Sequence, residues 1–90
     1  MASDRQYQIV AVSFNPANVV TKTAAEQAIT VTGAAVGDAV IVNKPSCTAG
    51  VGIVGARVTA ANTVGVVFAN ATAGDLNPAA ETYLFALMRP

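Results

Sequence analysis

Residues 29–42 read ITVTGAAVGDAVIV, and no other stretch limits the folds open to this chain so strongly. Ile29 and Val31 alternate with Thr30 and Thr32. Successive side chains of a strand point to opposite sides, so this alternation specifies a strand with one buried face. Gly33, a corner of small residues and Gly37-Asp38 then turn the chain, with Asp38 at a position where turns favour Asp. The run that follows, Ala39-Val40-Ile41-Val42, is apolar on both faces. Such a strand is expected to be central, or covered on its second face by something else.

The same pattern recurs along the chain. Tyr7–Phe14 is the first strand, with Tyr7, Ile9 and Ala11 on one face and Gln8, Val10, Val12 and Phe14 on the other. Asn15-Pro16-Ala17-Asn18 is turn chemistry. In residues 19–28, Thr23 precedes Glu26 at the spacing of a capping box. No apolar face at helical spacing follows, so the segment is expected to run extended into a second strand over about residues 27–32. Strand three covers residues 39–43, and Pro45 with two glycines makes residues 43–52 a loop. Strand four covers residues 53–59, with Val54, Ala56 and Val58 opposite Ile53, Gly55 and Arg57. A tight connection follows in which Asn62 takes positive φ at low cost. Strand five covers residues 63–68 and strand six residues 82–88, separated by a loop over residues 70–80. Most of the few aromatics lie in the first and last strands, which implies that these strands share a core.

Short strands at this spacing specify an all-β fold, a compact β-sandwich or small barrel of six to seven strands, jelly-roll-like in character. The chain divides into an arm over residues 1–6 and a single domain over residues 7–90.

Composition narrows the function. Of the 90 residues, 53% are apolar and only 11% charged, against about 25% charged in a typical soluble domain. The surface must therefore be largely Ala, Val, Thr, Asn and Gly, a solubility liability unless copies of the chain or a partner cover it. The basic residues Arg5, Lys22, Lys44, Arg57 and Arg89 are scattered, and the formal net charge is zero. Nucleic-acid binding needs clustered positive charge to neutralise phosphates, so no nucleic-acid partner is expected. A polybasic membrane anchor is disfavoured on the same ground. The N-terminus carries both charge signs and no apolar signal stretch, and no apolar run is long enough to span a bilayer. The single cysteine, Cys47, cannot close an intrachain disulfide, which fits synthesis in a reducing cytoplasm.

The inventory of reactive groups is thin. The chain has no histidine, which removes histidine general bases, catalytic triads and imidazole metal sites. Lys44 lies two residues before Ser46, and a Ser–Lys pair is a known nucleophile arrangement, although a polar loop after Pro45 explains it equally. Cys47 reads either as a thiol activated by Lys44 or, as such residues usually do, as a small apolar filler. Asp4, Glu26, Asp38, Asp75 and Glu81 are dispersed among turns and strand starts, so a glycosidase pair is unmotivated. No loop has the several acids that calcium needs. No catalytic residue, metal or other cofactor is expected. Arg57, at mid-strand, is read as lying on an exposed face or as an intersubunit ion-pair candidate.

The stretches EQAITVTGAAVGDAVIVNKP, GIVGARVTAANTVGVVFANATAG and NPAAETYLFALMR together resemble a small β-sandwich module of tailed-phage and prophage virion proteins. The resemblance covers residues 14–89 and rests on the GAAVGDAV turn, the GARVTAANTV hairpin and the terminal YLFALMR strand. It implies a stand-alone, trimeric capsid cement or decoration protein that binds the major capsid protein on the virion surface after synthesis in the host bacterial cytoplasm. The alternative it carries is a receptor- or glycan-binding tip of a head or tail fibre. Spare exposed aromatics would favour that alternative. Capsid contacts are expected from segments outside the core, residues 43–52, 70–80 and above all the arm, with Asp4, Arg5 and Gln6 as the leading candidates.

Overall fold

The computed structural model describes residues 7–89. Six strands, β1 (Tyr7–Phe14), β2 (Thr23–Thr30), β3 (Ala39–Asn43), β4 (Val51–Ala60), β5 (Thr63–Asn70) and β6 (Glu81–Met88), form two three-stranded antiparallel sheets. One sheet has the order β1-β6-β3 and the other β2-β5-β4. The fold is the expected all-β architecture, a small β-sandwich, and the described residues include no helix.

The core lies between the sheets. β5 contributes Val64, Val66 and Phe68, and β6 contributes Tyr83, Phe85 and Leu87, all essentially without exposed surface. Each of these strands is paired on both sides, so their inner positions are shielded above, below and laterally. Burying a side chain of the Val, Leu or Phe class stabilises a fold by about 1.5–3 kcal/mol. β1 pairs with β6 along all eight residues, from Tyr7 opposite Met88 to Phe14 opposite Glu81. The first and last strands share a core as the aromatic pattern implied. The Phe14 ring meets Tyr83 edge-on at 5.8 Å, and Tyr83 stacks on Phe85 at 6.4 Å.

Four expectations need correction. β2 begins at Thr23 and ends at Thr30, because residues 23–28 pair with β5, and this pairing outweighs the poor strand propensity of Ala24 and Ala25. β4 extends to Val51 and Ala60, and a register irregularity between Ile53 and Gly55 turns Val54 outward. This bulge puts Ile53, not Val54, on the same side as Ala56 and Val58, opposite Phe68. β3 is not central: it is an edge strand, and its outward Ile41 remains 59% exposed, uncovered by any described residue. Finally, the aromatics are not all committed to the core, since Tyr7 is 62% exposed.

The hairpin turn at Ala61-Asn62 behaves as the sequence implied, with Asn62 at φ 59°. Asn62 also receives the amide of Gly33 on its side-chain oxygen at 2.8 Å and donates its own amide to the Ala34 carbonyl at 2.8 Å. Gly33 itself sits at φ 98°, a conformation that favours glycine. The β4–β5 turn and the segment after β2 are thereby locked together.

The core yields a paired expectation. Phe68→Ala should cost about 3–5 kcal/mol in urea denaturation, the usual price of an aromatic cavity. The Tyr83 hydroxyl is buried and has no hydrogen-bond partner. Tyr83→Phe should therefore stabilise the fold, by about 1 kcal/mol, in the same measurement. A loss of stability in Tyr83→Phe would contradict the unpartnered hydroxyl.

Candidate functional site

Strand directions sort the connections into two ends. The β1–β2, β3–β4 and β5–β6 connections lie at one end, and the β2–β3 connection and β4–β5 turn at the other. β1 starts at the second end, where Tyr7 faces Met88 and Ala39. The capsid-contact candidates Asp4, Arg5 and Gln6 lie outside the described residues. The two loops expected to act beside them, residues 43–52 and 70–80, sit at the end opposite the start of β1, so arm and loops do not belong to one surface.

The loop end is built around Asn70, which is 2% exposed. Its amide donates to the carbonyls of Val19 at 3.0 Å and Gly74 at 2.9 Å. Its oxygen accepts from the Thr72 amide at 2.9 Å and the Thr72 hydroxyl at 2.7 Å. Both donors and both acceptor positions are filled, which makes a buried amide tolerable. Val19 and Leu76 exchange reciprocal backbone bonds of 2.7 and 3.1 Å, and Asp75 caps the Thr21 amide at 2.9 Å. The Ala71 amide reaches the Gly50 carbonyl at 2.8 Å, tying in the third loop. The result is a cross-tied platform whose loops are already ordered before any partner arrives. Sequence reasoning placed Asn70 in a loop. The Asn-x-Thr-x-Gly-Asp spacing of residues 70–75 is the signal that could have marked it.

Beside the platform, the structure does bring Lys44 and Ser46 together, but around Glu81. The Lys44 ammonium donates to Glu81 at 2.6 Å, to the Ser46 carbonyl at 2.8 Å and to the Ser46 hydroxyl at 3.3 Å. The Ser46 hydroxyl donates to the same Glu81 oxygen at 2.8 Å. The Lys44 bond foremost, with help from Ser46, holds the Glu81 carboxyl below its ordinary pKa. An ammonium committed to a carboxylate does not accept a serine proton, and a carboxylate with lowered pKa is a weak base. The cluster works as a clasp between the β3–β4 loop and the start of β6. Lys44 also lies 5.9 Å from the Tyr83 ring centroid. Next to the clasp is an open cleft of about 270 Å³ walled by Val42, Val51, Ile53, Phe68 and Pro78. Cys47 lines its rim and is exposed, which corrects the reading of this cysteine as an apolar filler.

Each of the other paired carboxylates has its own cation. Arg89 grips Asp38 through two bonds of 3.0 Å and also reaches the Gly33 carbonyl at 3.1 Å, clasping the far end of the sandwich. Arg57 meets Glu26 of the same chain through bonds of 2.9 and 3.0 Å. This pair lies across β5 at Gly65, where any Cβ would collide with the Glu26 carboxylate. The guanidinium remains 71% exposed, so the strand-face position expected for Arg57 holds, with an intrachain partner. Among the described residues no cluster of His, Cys, Asp or Glu is dense enough to hold a metal ion.

The two outer faces of the sandwich differ sharply. The face of β2-β5-β4 carries the Glu26–Arg57 pair. The face of β1-β6-β3 carries three rows, Tyr7–Met88–Ala39, Ile9–Ala86–Ile41 and Ala11–Leu84–Asn43, without a single charge. Ile9 is 64% and Leu84 39% exposed, alongside Tyr7 and Ile41. The sequence showed that these strands were apolar on both sides; it did not show that their outward residues converge on one sheet. This face and the loop platform are the candidate interaction surfaces. No protein-family model matches the chain, nor does any curated protein or solved structure.

The clasps give a pH dependence. Hydrogen bonds from Arg57, Arg89 and Lys44 lower the pKa values of Glu26, Asp38 and Glu81 from ordinary values of 4.5, 3.8 and 4.5. A carboxylate with a depressed folded-state pKa contributes stability that is present above its unfolded value and lost as pH falls through the folded one. Asp38 and Glu81 should dominate, since their side chains are far less exposed than the Glu26–Arg57 pair. The urea midpoint should be flat between about pH 7 and 5 and fall below about pH 4. In Glu81→Gln it should start lower at neutral pH and fall less steeply. A Glu81→Gln profile parallel to the native one would show that the clasp contributes nothing.

Proposed function

We propose that this chain is a structural virion protein, a trimeric capsid decoration protein that binds and stabilises an assembled phage shell. The observation that carries the reading is the charge-free, exposed outer face of β1-β6-β3, a surface that a soluble monomer rarely presents at this density. The resemblance of the turn and hairpin stretches to phage virion modules supplies the setting. The cross-tied loop platform supports it further, because a preordered surface loses less conformational freedom on docking.

The mechanism is mass action. A protein that binds only the assembled shell stabilises it by RT ln(1 + [L]/Kd) per site. A trimer multiplies weak single contacts through effective concentration, so no one contact needs to be strong. The shell-facing end is either the arm end, with Asp4, Arg5 and Gln6, or the loop platform; these are opposite ends, and one trimer presents only one of them to the shell.

The alternative, a glycan-binding fibre tip, draws on one observation, the exposed Tyr7. Its cross-strand neighbours Met88 and Ala39 are apolar, whereas a sugar needs polar partners beside the ring.

The test is a binding titration with expanded phage capsids stripped of their own decoration protein, followed by heat challenge. The native chain should bind saturably and raise the temperature of shell disruption. Deleting residues 2–6 should abolish binding if the arm end faces the shell and leave it intact if the platform does. Absence of binding by the native chain, together with capture on a glycan array, would replace the decoration reading with the fibre-tip one.

A further inference from the structure

The outer face of β1-β6-β3 is the part of the molecule that the fold leaves unexplained. Its width is that of three strands about 4.8 Å apart, or about 14 Å. Its three apolar rows, about 7 Å apart, give a flat patch of about 300 Å². A stable two-body interface needs about 800 Å² per partner, so packing this face against one other copy leaves the contact well short.

Three copies close the geometry better. Sheets packed through their side chains lie about 10 Å apart, so sheets around a common axis sit about 5 Å from it, and a triangle at that distance has sides of about 17 Å. A three-stranded sheet nearly fills such a side. The flanking edges would then be used as well. β1 and β3 both run antiparallel to β6, so around the axis β1 of one copy meets β3 of the next in parallel. The edges themselves differ in a way that fits this. The β2 edge carries Glu26, and the β4 edge is bulged and carries Arg57, both devices that discourage edge pairing. β1 is eight residues of YQIVAVSF with no charge, no proline and no irregularity in its register. The zero net charge of the chain removes any electrostatic penalty for gathering copies.

We propose that three copies of this chain associate through the outer face of the β1-β6-β3 sheet, with Tyr7, Ile9, Ile41 and Leu84 of each forming a shared apolar core along the threefold axis. This rests on the trimer in the function proposed above and assigns its interface, placing the Arg57–Glu26 pair on the outside of the assembly.

The two tyrosines make the test direct. Tyr83 is fully buried within one chain, so Tyr7 alone should change its accessibility on assembly. Native protein, Ile9→Lys/Ile41→Lys and Arg57→Ala are to be compared by sedimentation and by the rate of Tyr7 nitration with tetranitromethane, read by peptide mass. The native chain should sediment as a trimer with Tyr7 nitrated about tenfold or more slowly than in the double-lysine variant, which should be a monomer with native β circular dichroism. Arg57→Ala should remain trimeric with Tyr7 protected. Should the double-lysine variant not fold, the native rate is set against a free tyrosine amide, and protection of Tyr7 in the native trimer still decides. A native monomer overturns the proposal. So does a trimer whose Tyr7 reacts at the unprotected rate, or one dissociated by Arg57→Ala and not by the lysines. No capsid enters this experiment: a trimer with protected Tyr7 that ignores phage shells would sink the virion reading and keep the interface.

Discussion

A sandwich of two three-stranded sheets has only two fully protected strands, and everything in this structure hangs on them. β5 and β6 are each paired on both sides, and their inward residues, Val64, Val66, Phe68, Tyr83, Phe85 and Leu87, form the dry centre. The four remaining strands are edges, held by one ladder each and by half-buried residues such as Val10, Val12, Val40 and Ile53 packed against that centre. Such a gap accepts roughly every second residue of a strand. A chain that is 53% apolar has more to hide than the gap can hold, and the excess appears on the outside of β1, β6 and β3.

The few polar groups are used economically. Six of the ten charged residues form the three ion pairs, and each pair fixes one joint. Arg89 holds the β2–β3 connection through Asp38, Lys44 holds the β3–β4 loop to β6 through Glu81, and Arg57 spans the outer sheet to Glu26. Asn70 and Asn62 do the same with neutral amides at opposite ends of the sandwich. Little formal charge is then free for steering a partner, which directs attention to shape-matched apolar contact.

What the sequence made legible was local. β1 and β3 were readable to the residue because period-two alternation and flanking turn residues mark them without reference to any partner. Asn62 was readable because positive φ is a property of one residue and its neighbours. The features that escaped were set by pairing. Thr23–Ala28 is strand because β5 lies beside it, and Val54 is turned out because the β4 ladder slips against β5. Asn70 is a hub only because two other loops pass over it. The apolar outer face required knowing that β1, β3 and β6 share a sheet, since each strand by itself merely looked apolar on both sides. The Lys44–Ser46 spacing was visible, but its meaning depended on Glu81, 37 residues away.

The central claim is that the exposed face of β1-β6-β3 is covered in the assembled protein by copies of itself. Hydrogen–deuterium exchange of the native assembly, resolved by peptide, asks this directly. In the isolated sandwich β1, β2, β3 and β4 are all edges, and their outward amides should exchange comparably fast. If the account is right, β1 and β3 exchange nearly as slowly as the doubly paired β5 and β6, while β2 and β4 remain fast. Exchange in β1 and β3 as rapid as in β2 and β4 would mean that the face stays open to water, and would contradict the account.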